Sequence, residues 1–315
     1  MKYIEELREG ERIGEVYLCK HKQTATTKAG KPYDSLILQD KTGTVDAKIW
    51  DVGSSGIEEF DKLDYIYVVG DVTSFLGALQ LNVKRVKKMS ETDVNPSDYL
   101  PVSEYNIEEM YQKLLAYIAQ MKHPYLKQLA ESFFADADFA KRFQFHSAAK
   151  SVHHGFVGGL LEHTLHVTQI CDFFSKLYPM LNRDLLLTAA MFHDIGKLTE
   201  LSTFPANDYT DDGQLLGHIM IGAMEVQKHI EQIEGFPKRT ASELIHCILA
   251  HHGELEYGSP KKPAMVEAVA LNLADNADAK METLTELFEA APAGNEWLGY
   301  NRFFESNIRR TGDFS

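Results

Sequence analysis

The chain has 315 residues, room for one large core and a second smaller one, and its 44% apolar and 25% charged side chains are those of an ordinary globular protein. No apolar run approaches the ~20 residues of a membrane-spanning helix, and the charged opening from Met1 to Glu9 lacks the apolar heart of a secretory signal, so a soluble, cytosolic protein is expected. The net charge of −14 excludes a uniformly basic nucleic-acid binder, but residues 1–90 carry 14 basic and 14 acidic side chains, so the whole excess of acid lies beyond them.

From Glu11 to about Met89 apolar residues alternate with polar ones at period two, which predicts strands over residues 15–20, 33–40, 44–50, 65–72 and 79–83. Asp40-Lys41-Thr42-Gly43 reads as a tight turn, and residues 54–64 leave room for a short helix. Five short strands in under 90 residues suggest a small barrel. The pattern Leu36-x-Leu38-x-Asp40-x-x-Gly43 followed by Trp50 resembles nucleic-acid-binding OB-folds, which stack bases on aromatic rings and track the backbone with basic side chains. Lys28, Lys31 and Tyr33 in the first long connection, Lys48 and Trp50 on the third strand, Phe75 beside Gly77, and Lys84 in the run Lys84-Arg85-x-Lys87-Lys88 are the candidates for that task. The competing reading puts Tyr33 and Trp50 in the barrel core and makes the lysines a solvated edge.

Residues 91–102 are polar and interrupted by Pro96 and Pro101, as in a linker. Beyond them Ile107, Met110, Tyr111, Leu114, Leu115 and Ile118 recur at helical spacing and no strand pattern is found. The expected architecture is therefore an all-β OB barrel over 1–90, a linker over 91–102 and an all-helical domain over 103–315. Cys19, Cys171 and Cys247 are odd in number, far apart and in apolar surroundings, which points to buried thiols in a reducing compartment.

Most of the 13 histidines lie between His146 and His252. His193-Asp194 closes the apolar run from Leu185 to Phe192, so that an imidazole and a carboxylate leave one helix end together; a carboxylate has two oxygens and can bridge two metals. His163 follows Gly158-Gly159-Leu160-Leu161-Glu162, His218 follows Gly217, His251-His252 precede Gly253, and Asp275 lies within Leu271-Asn272-Leu273-Ala274-Asp275. A lone histidine is usually a packed or surface residue, but several charged and polar groups converging on a helical core would each be unfavourable without a partner, and metal satisfies them.

This order of a His, a His-Asp pair and a distant Asp resembles the HD superfamily of metal-dependent phosphohydrolases. His163, His193, Asp194 and Asp275 take the places of its signature, and His218 with His251 or His252 the places of the extra ligands of two-metal members. Imidazole and carboxylate without thiolate favour Mn²⁺ first, with Fe²⁺ or Co²⁺ as alternatives. Lys197 is placed to meet a phosphate oxygen, and His153-His154, with Lys150 nearby, to line the substrate entrance or protonate the leaving oxygen. Asp278, one turn after Asp275, is placed to orient a ligand.

An OB barrel followed by an HD domain, with Gly158-Gly159-Leu160-Leu161-Glu162-His163-Thr164 and His193-Asp194-Ile195-Gly196-Lys197, resembles the YhaM-type 3′-to-5′ exoribonucleases of Gram-positive bacteria over nearly the whole chain. The resemblance implies hydrolysis of single-stranded RNA, and of single-stranded DNA, from the 3′ end with Mn²⁺; self-assembly would enclose the strand. Two other readings are a phosphodiesterase for a cyclic dinucleotide or small nucleotide, whose bacterial group carries a Gly-Tyr-Pro triplet that this chain lacks, and a non-catalytic RNA-binding protein with a structural metal.

Overall fold

A computed structural model describes residues 1–150, 154–291 and 294–312. They divide into two units, one of Met1–Val102 together with Phe204–Ala206 and one holding the remainder. No helix among the described residues is long and apolar enough to cross a membrane.

The first unit is a closed barrel of β1 (Arg12–Thr26), β2 (Pro32–Asp40), β3 (Gly43–Ile49), β4 (Tyr65–Phe75) and β5 (Ala78–Lys88) in the order β1-β2-β3-β5-β4. All neighbours are antiparallel except β3 and β5, which run parallel, and this is the five-stranded topology of an OB-fold. Closure rests on the long first strand. Its first half pairs with β4, from Arg12 opposite Asp71 to Leu18 opposite Tyr65, and its second half with β2, from Leu18 opposite Gln39 to Thr26 opposite Pro32. A register shift between Cys19 and His21 bends it from one partner to the other. A second shift lies at Val69/Gly70, where a Cβ on Gly70 would stand 2.6 Å from the Asn82 carbonyl oxygen, so only glycine allows β4 and β5 to approach there.

Inward residues of all five strands, among them Tyr17, Leu36, Leu38, Ala47, Ile49, Ile66, Val68 and Leu81, fill the barrel with Phe60 from the β3–β4 connection. That connection holds turns and an isolated bridge from Ile57 to Val86; the short helix expected over 54–64 does not form. Strands β1, β4 and β5 outrun their expected ends because the alternation weakens where β1 bends and where the β4–β5 hairpin projects into solvent. Residues 91–102 are folded against this unit: Tyr99 and Leu100 are buried, the Gln39 side-chain amide donates to the Tyr99 carbonyl at 3.0 Å, and the Tyr99 ring meets Tyr65 edge-on at 5.0 Å.

The second unit contains α1 (Ile107–Ala119), α2 (Pro124–Phe134), α3 (Ala137–Phe145), α4 (Gly159–Leu177), α5 (Arg183–Phe192), the single turn α6 (Lys197–Glu200), α7 (Asp211–Gln232), α8 (Lys238–Ala250) and α9 (Val266–Ala290). Side chains of Asn106, Asp136, Asn182 and Thr210 accept from backbone N–H groups in the first turns that they precede. The core joins Leu114 and Ile118 of α1, Phe133 and Phe134 of α2, Leu160 and Leu161 of α4, and the apolar residues of the fully buried run from Leu185 to Phe192. The expectation that 103–315 is wholly helical is corrected by a C-terminal hairpin, β6 (Trp297–Asn301) with β7 (Ser306–Arg309). Its side chains are mostly exposed on both faces, so it carries no alternation from which a strand could be read.

Cys19, Cys171 and Cys247 are buried free thiols. Burial pushes Cys19 and Cys247 up to about 12 and Cys171 higher still. Since the thiolate is the reactive form, native protein at neutral pH is expected to resist iodoacetamide at all three positions and to react fully in denaturant, as read by intact mass; rapid labelling of the native chain would show that the core opens.

Candidate functional site

Two histidines sit at helix C-termini. The buried run of α5 delivers His193 at its end, still in helical conformation, and its Nδ1 donates to the Ala190 carbonyl at 2.7 Å. α8 ends the same way, with His251 Nδ1 donating to the Ile248 carbonyl at 2.7 Å. The last carbonyls of a helix lack partners within it, and a carbonyl only accepts. Each bond therefore places a ring proton on Nδ1 and turns Nε2 toward the centre, as an acceptor whenever the ring carries that one proton.

The other two rings are aimed by carboxylates. α7 is interrupted at Gly217 (φ 71°, ψ 157°), a left-handed position that suits glycine, and restarts at His218. Glu200 Oε1 accepts from the His218 backbone N–H at 2.9 Å and from its Nδ1 at 3.0 Å. His163 on α4 donates from Nδ1 to Asp278 Oδ2 at 2.7 Å.

The four Nε2 atoms converge on the two oxygens of Asp194. On one side His163 Nε2 and His193 Nε2 are 3.1 Å apart, each 3.4 Å from Asp194 Oδ2, and Asp275 Oδ1 is 3.2 Å from the former. On the other, Asp194 Oδ1 faces His218 Nε2 at 3.4 Å and His251 Nε2 at 3.7 Å. Those last three atoms are buried and have no hydrogen-bond partner. Nitrogens of His218, His251 and His252 also lie within 4.8 Å of one another. Acceptors facing acceptors repel, and each buried polar atom without a partner costs about 1–3 kcal/mol. A cation removes both penalties. Donors that are all imidazole nitrogen or carboxylate oxygen, with no cysteine among them, fit a divalent metal.

The electrostatics agree. Burial, and then the neighbouring His252 and His193, hold the His251 pKa well below its ordinary value, so this ring stays neutral. Burial opposes the charge of Asp194, but the Lys197 ammonium, together with a hydrogen bond from His163, outweighs it and keeps its carboxyl well below the usual range. The Lys197 ammonium donates to Asp194 Oδ2 at 2.6 Å. Burial also opposes a charge on His163, yet hydrogen bonds to Asp194, Asp275 and Asp278 raise it well above the ordinary value, and the proton that they hold on Nε2 lies where a cation would replace it. The pocket thus attracts positive charge.

Other candidates fall elsewhere. His154 does not line an entrance: it is 1% exposed, and its Nε2 donates to Asp278 Oδ2 at 3.0 Å. His153 lies outside the described residues. Lys150 is exposed and paired with Asp208 at 2.6 Å. Asp278 accepts from three rings, His154, His163 and His166, the last at 3.0 Å. Glu200, Glu162 and His166 were not among the expected site residues. His166 and Glu162 flank His163 on α4, and Glu200 ends the turn after Lys197, so proximity to the motifs is the one signal they carry.

On the barrel, Trp50 is 49% exposed, stacks on Tyr33 at 4.9 Å and donates from Nε1 to Asn82 Oδ1 at 3.0 Å. This excludes the core reading, because Ile49 takes the inward position beside it. Lys48 lies next on the same outer face, tied to Ser35 at 2.7 Å and Asp46 at 2.9 Å. Lys28 and Lys31 are exposed on the β1–β2 loop, and Phe75, 61% exposed, is at the β4–β5 tip beside Leu76, 91% exposed and absent from the sequence expectation. Lys84 is paired with Asp71. OB-folds bind oligonucleotides on the β2–β3 face and the β1–β2 and β4–β5 loops.

The HD domain family model matches residues 160–280. The 3′-5′ exoribonuclease YhaM of Geobacillus sp. (strain WCH70) is 35% identical over 286 residues, 90% of this chain and 87% of that protein. The 3′-5′ exoribonuclease YhaM of Bacillus subtilis (strain 168) is 35% identical over 286 residues, 90% of each chain. Among solved structures, the second OB-fold domain of replication protein A from Methanococcus maripaludis aligns with 29% of this chain and 97% of that domain at 27% identity, with a TM-score of 0.22.

Gly196 sets how closely the turn after Asp194 approaches His218: a Cβ there would stand 2.0 Å from the His218 carbonyl oxygen and 2.7 Å from the Gly222 nitrogen, both backbone atoms that cannot swing aside. Gly196→Ala is expected to destabilise the chain by about 1–3 kcal/mol and to blunt the rise in melting temperature on adding Mn²⁺. An unchanged Mn²⁺ response would show that this approach does not set the site.

Proposed function

The chain belongs to the YhaM family of 3′-5′ exoribonucleases, and from that premise we propose that it hydrolyses single-stranded RNA, and single-stranded DNA as well, from the 3′ end to nucleoside monophosphates. The observation that carries the reading is Asp194, whose two oxygens each face a pair of imidazole nitrogens, those on the Oδ1 side buried without a hydrogen-bond partner. His163, His193, Asp194 and Asp275 would hold one divalent ion, and Asp194, His218 and His251 a second, with His252 beside them; Mn²⁺ is the first choice and Fe²⁺ or Co²⁺ suit the same donors. Such ions supply Lewis acidity, lowering the pKa of a water and offsetting charge on phosphoryl oxygens.

The chain's own groups do the rest. Asp278, Glu200 and the carbonyls of Ala190 and Ile248 keep the four rings in one tautomer and one orientation. Lys197 keeps Asp194 ionised and presents a cation to the phosphate being cut. His154, enclosed behind His163, acts through Asp278 as a positioning residue. On the barrel, the Tyr33–Trp50 stack and Phe75 offer faces for bases, while Lys28, Lys31 and Lys48 follow the phosphates. Lys84 and Lys150, each held by an aspartate, add charge near the strand once those pairs open. The buried thiols suit a reducing cytosol.

RNA labelled at its 5′ end is expected to shorten as a continuous ladder in Mn²⁺ and to stay intact with chelator. Asp194→Asn should bind the strand without cutting it. Early release of the 5′ label, an endonucleolytic smear, or parental turnover by metal-reloaded Asp194→Asn would each overturn the proposal.

Trp50 also has a direct test. Stacking contributes about 1–3 kcal/mol per base, so Trp50→Ala should weaken strand binding roughly 5- to 150-fold in fluorescence anisotropy at fixed salt while leaving cleavage of a dinucleotide near the parental rate. Undiminished strand affinity would move the binding surface elsewhere.

A further inference from the structure

Behind His163, on the side away from Asp194, His154, Glu162 and Glu282 form a second group of ligating side chains, none of them among the proposed ligands of the Asp194 centre. Asp275, Asp278 and Glu282 follow one another at helical spacing along α9, and Glu162 precedes His163 on α4. His154 stands in the segment before α4. Its Nε2 donates to Asp278 Oδ2, which leaves Nδ1 of the neutral ring as an acceptor. That nitrogen is buried and has no hydrogen-bond partner, and it faces Glu162 Oε1 at 3.7 Å. The other oxygen of Glu162 is already engaged by the Ser103 hydroxyl. A ring nitrogen of His154 and carboxylate oxygens of Glu162 and Glu282 lie within 4.8 Å of one another.

We propose that His154, Glu162 and Glu282 form a further divalent-cation site, separate from the cluster around Asp194. A gap of 3.7 Å is too wide for a hydrogen bond. It is close to the separation of two donors sharing one ion, since ligands ~2.0–2.2 Å from a common centre stand roughly 3–3.5 Å apart. One imidazole and two carboxylates suit a first-row divalent cation. Glu162 is buried, but Glu282 is partly exposed and gives the ion a way in from solvent. The three donors come from three segments, so an ion there ties the stretch before α4 to both α4 and α9. It also fixes His154 against Asp278, the same carboxylate that orients His163. Its role is positional, and no reacting group need touch it.

The test counts ions on the full chain without substrate, so its outcome is independent of the nuclease reading. Metal-free protein is dialysed to saturation against Mn²⁺ alone and the bound metal measured by mass spectrometry. Glu282→Gln is expected to hold one ion fewer per chain than the parent. His218→Ala should lose metal from the other cluster, and the double variant should lose both contributions. A parental count in folded Glu282→Gln overturns the proposal. Anomalous diffraction from Mn²⁺-soaked parent crystals needs no variant: a peak between His154, Glu162 and Glu282 supports the site, and peaks around Asp194 alone overturn it, leaving a shared proton as the bridge between His154 and Glu162.

Discussion

A neutral imidazole carries one proton, and whichever nitrogen gives it to a fixed acceptor leaves the other with a lone pair whose direction is then set. The whole centre depends on that constraint. Four rings are pinned through Nδ1, two by helix-terminal carbonyls and two by carboxylates, and all four Nε2 atoms point to one carboxylate. The apolar packing of α5 and α8 serves the same end. A helix that shifted or frayed by one residue would carry away both the ring and the carbonyl that holds it, so the rigidity of the core passes directly into the direction of a lone pair.

Charge shapes the second unit as strongly. Asp194, Asp275, Asp278, Glu162 and Glu200 gather in or behind the centre, and Lys197 is the lysine paired there. The acidity beyond residue 90 is thus partly concentrated inside the molecule, where water does not screen it. Burial of so many carboxylates is sustainable because histidines donate to them from one side and a cation can meet them from the other.

Much of this was legible in the sequence, for reasons that differ by element. The barrel strands followed from alternation because one face of each is buried, and the continuous apolar run ending in His193-Asp194 marked a core helix and the end at which that imidazole and carboxylate leave it. Trp50 was undecided between core and surface; register resolves it, with Ile49 inward and Trp50 outward. The pairings of Glu200 with His218 and of Asp278 with three histidines depend on tertiary approach and leave no local pattern. The same holds for His154, expected to line the substrate entrance or protonate the leaving oxygen, although the ring is enclosed. The β6–β7 hairpin escaped because strands exposed on both faces have no period to detect.

The bend of β1 bears on how the first unit folds. Because this strand pairs with β2 along one half and with β4 along the other, its contacts join neighbours in the chain and also bring Ile13 to Gly70. Strands β1, β2 and β3 alone make an open meander, and β5 is needed to connect β3 with β4. The ring closes only when the last strand is in place, so its assembly is dominated by distant pairings, which are slow to search and become stable together. On the ribosome, the first ninety residues would stay incomplete until the whole of β5 has emerged.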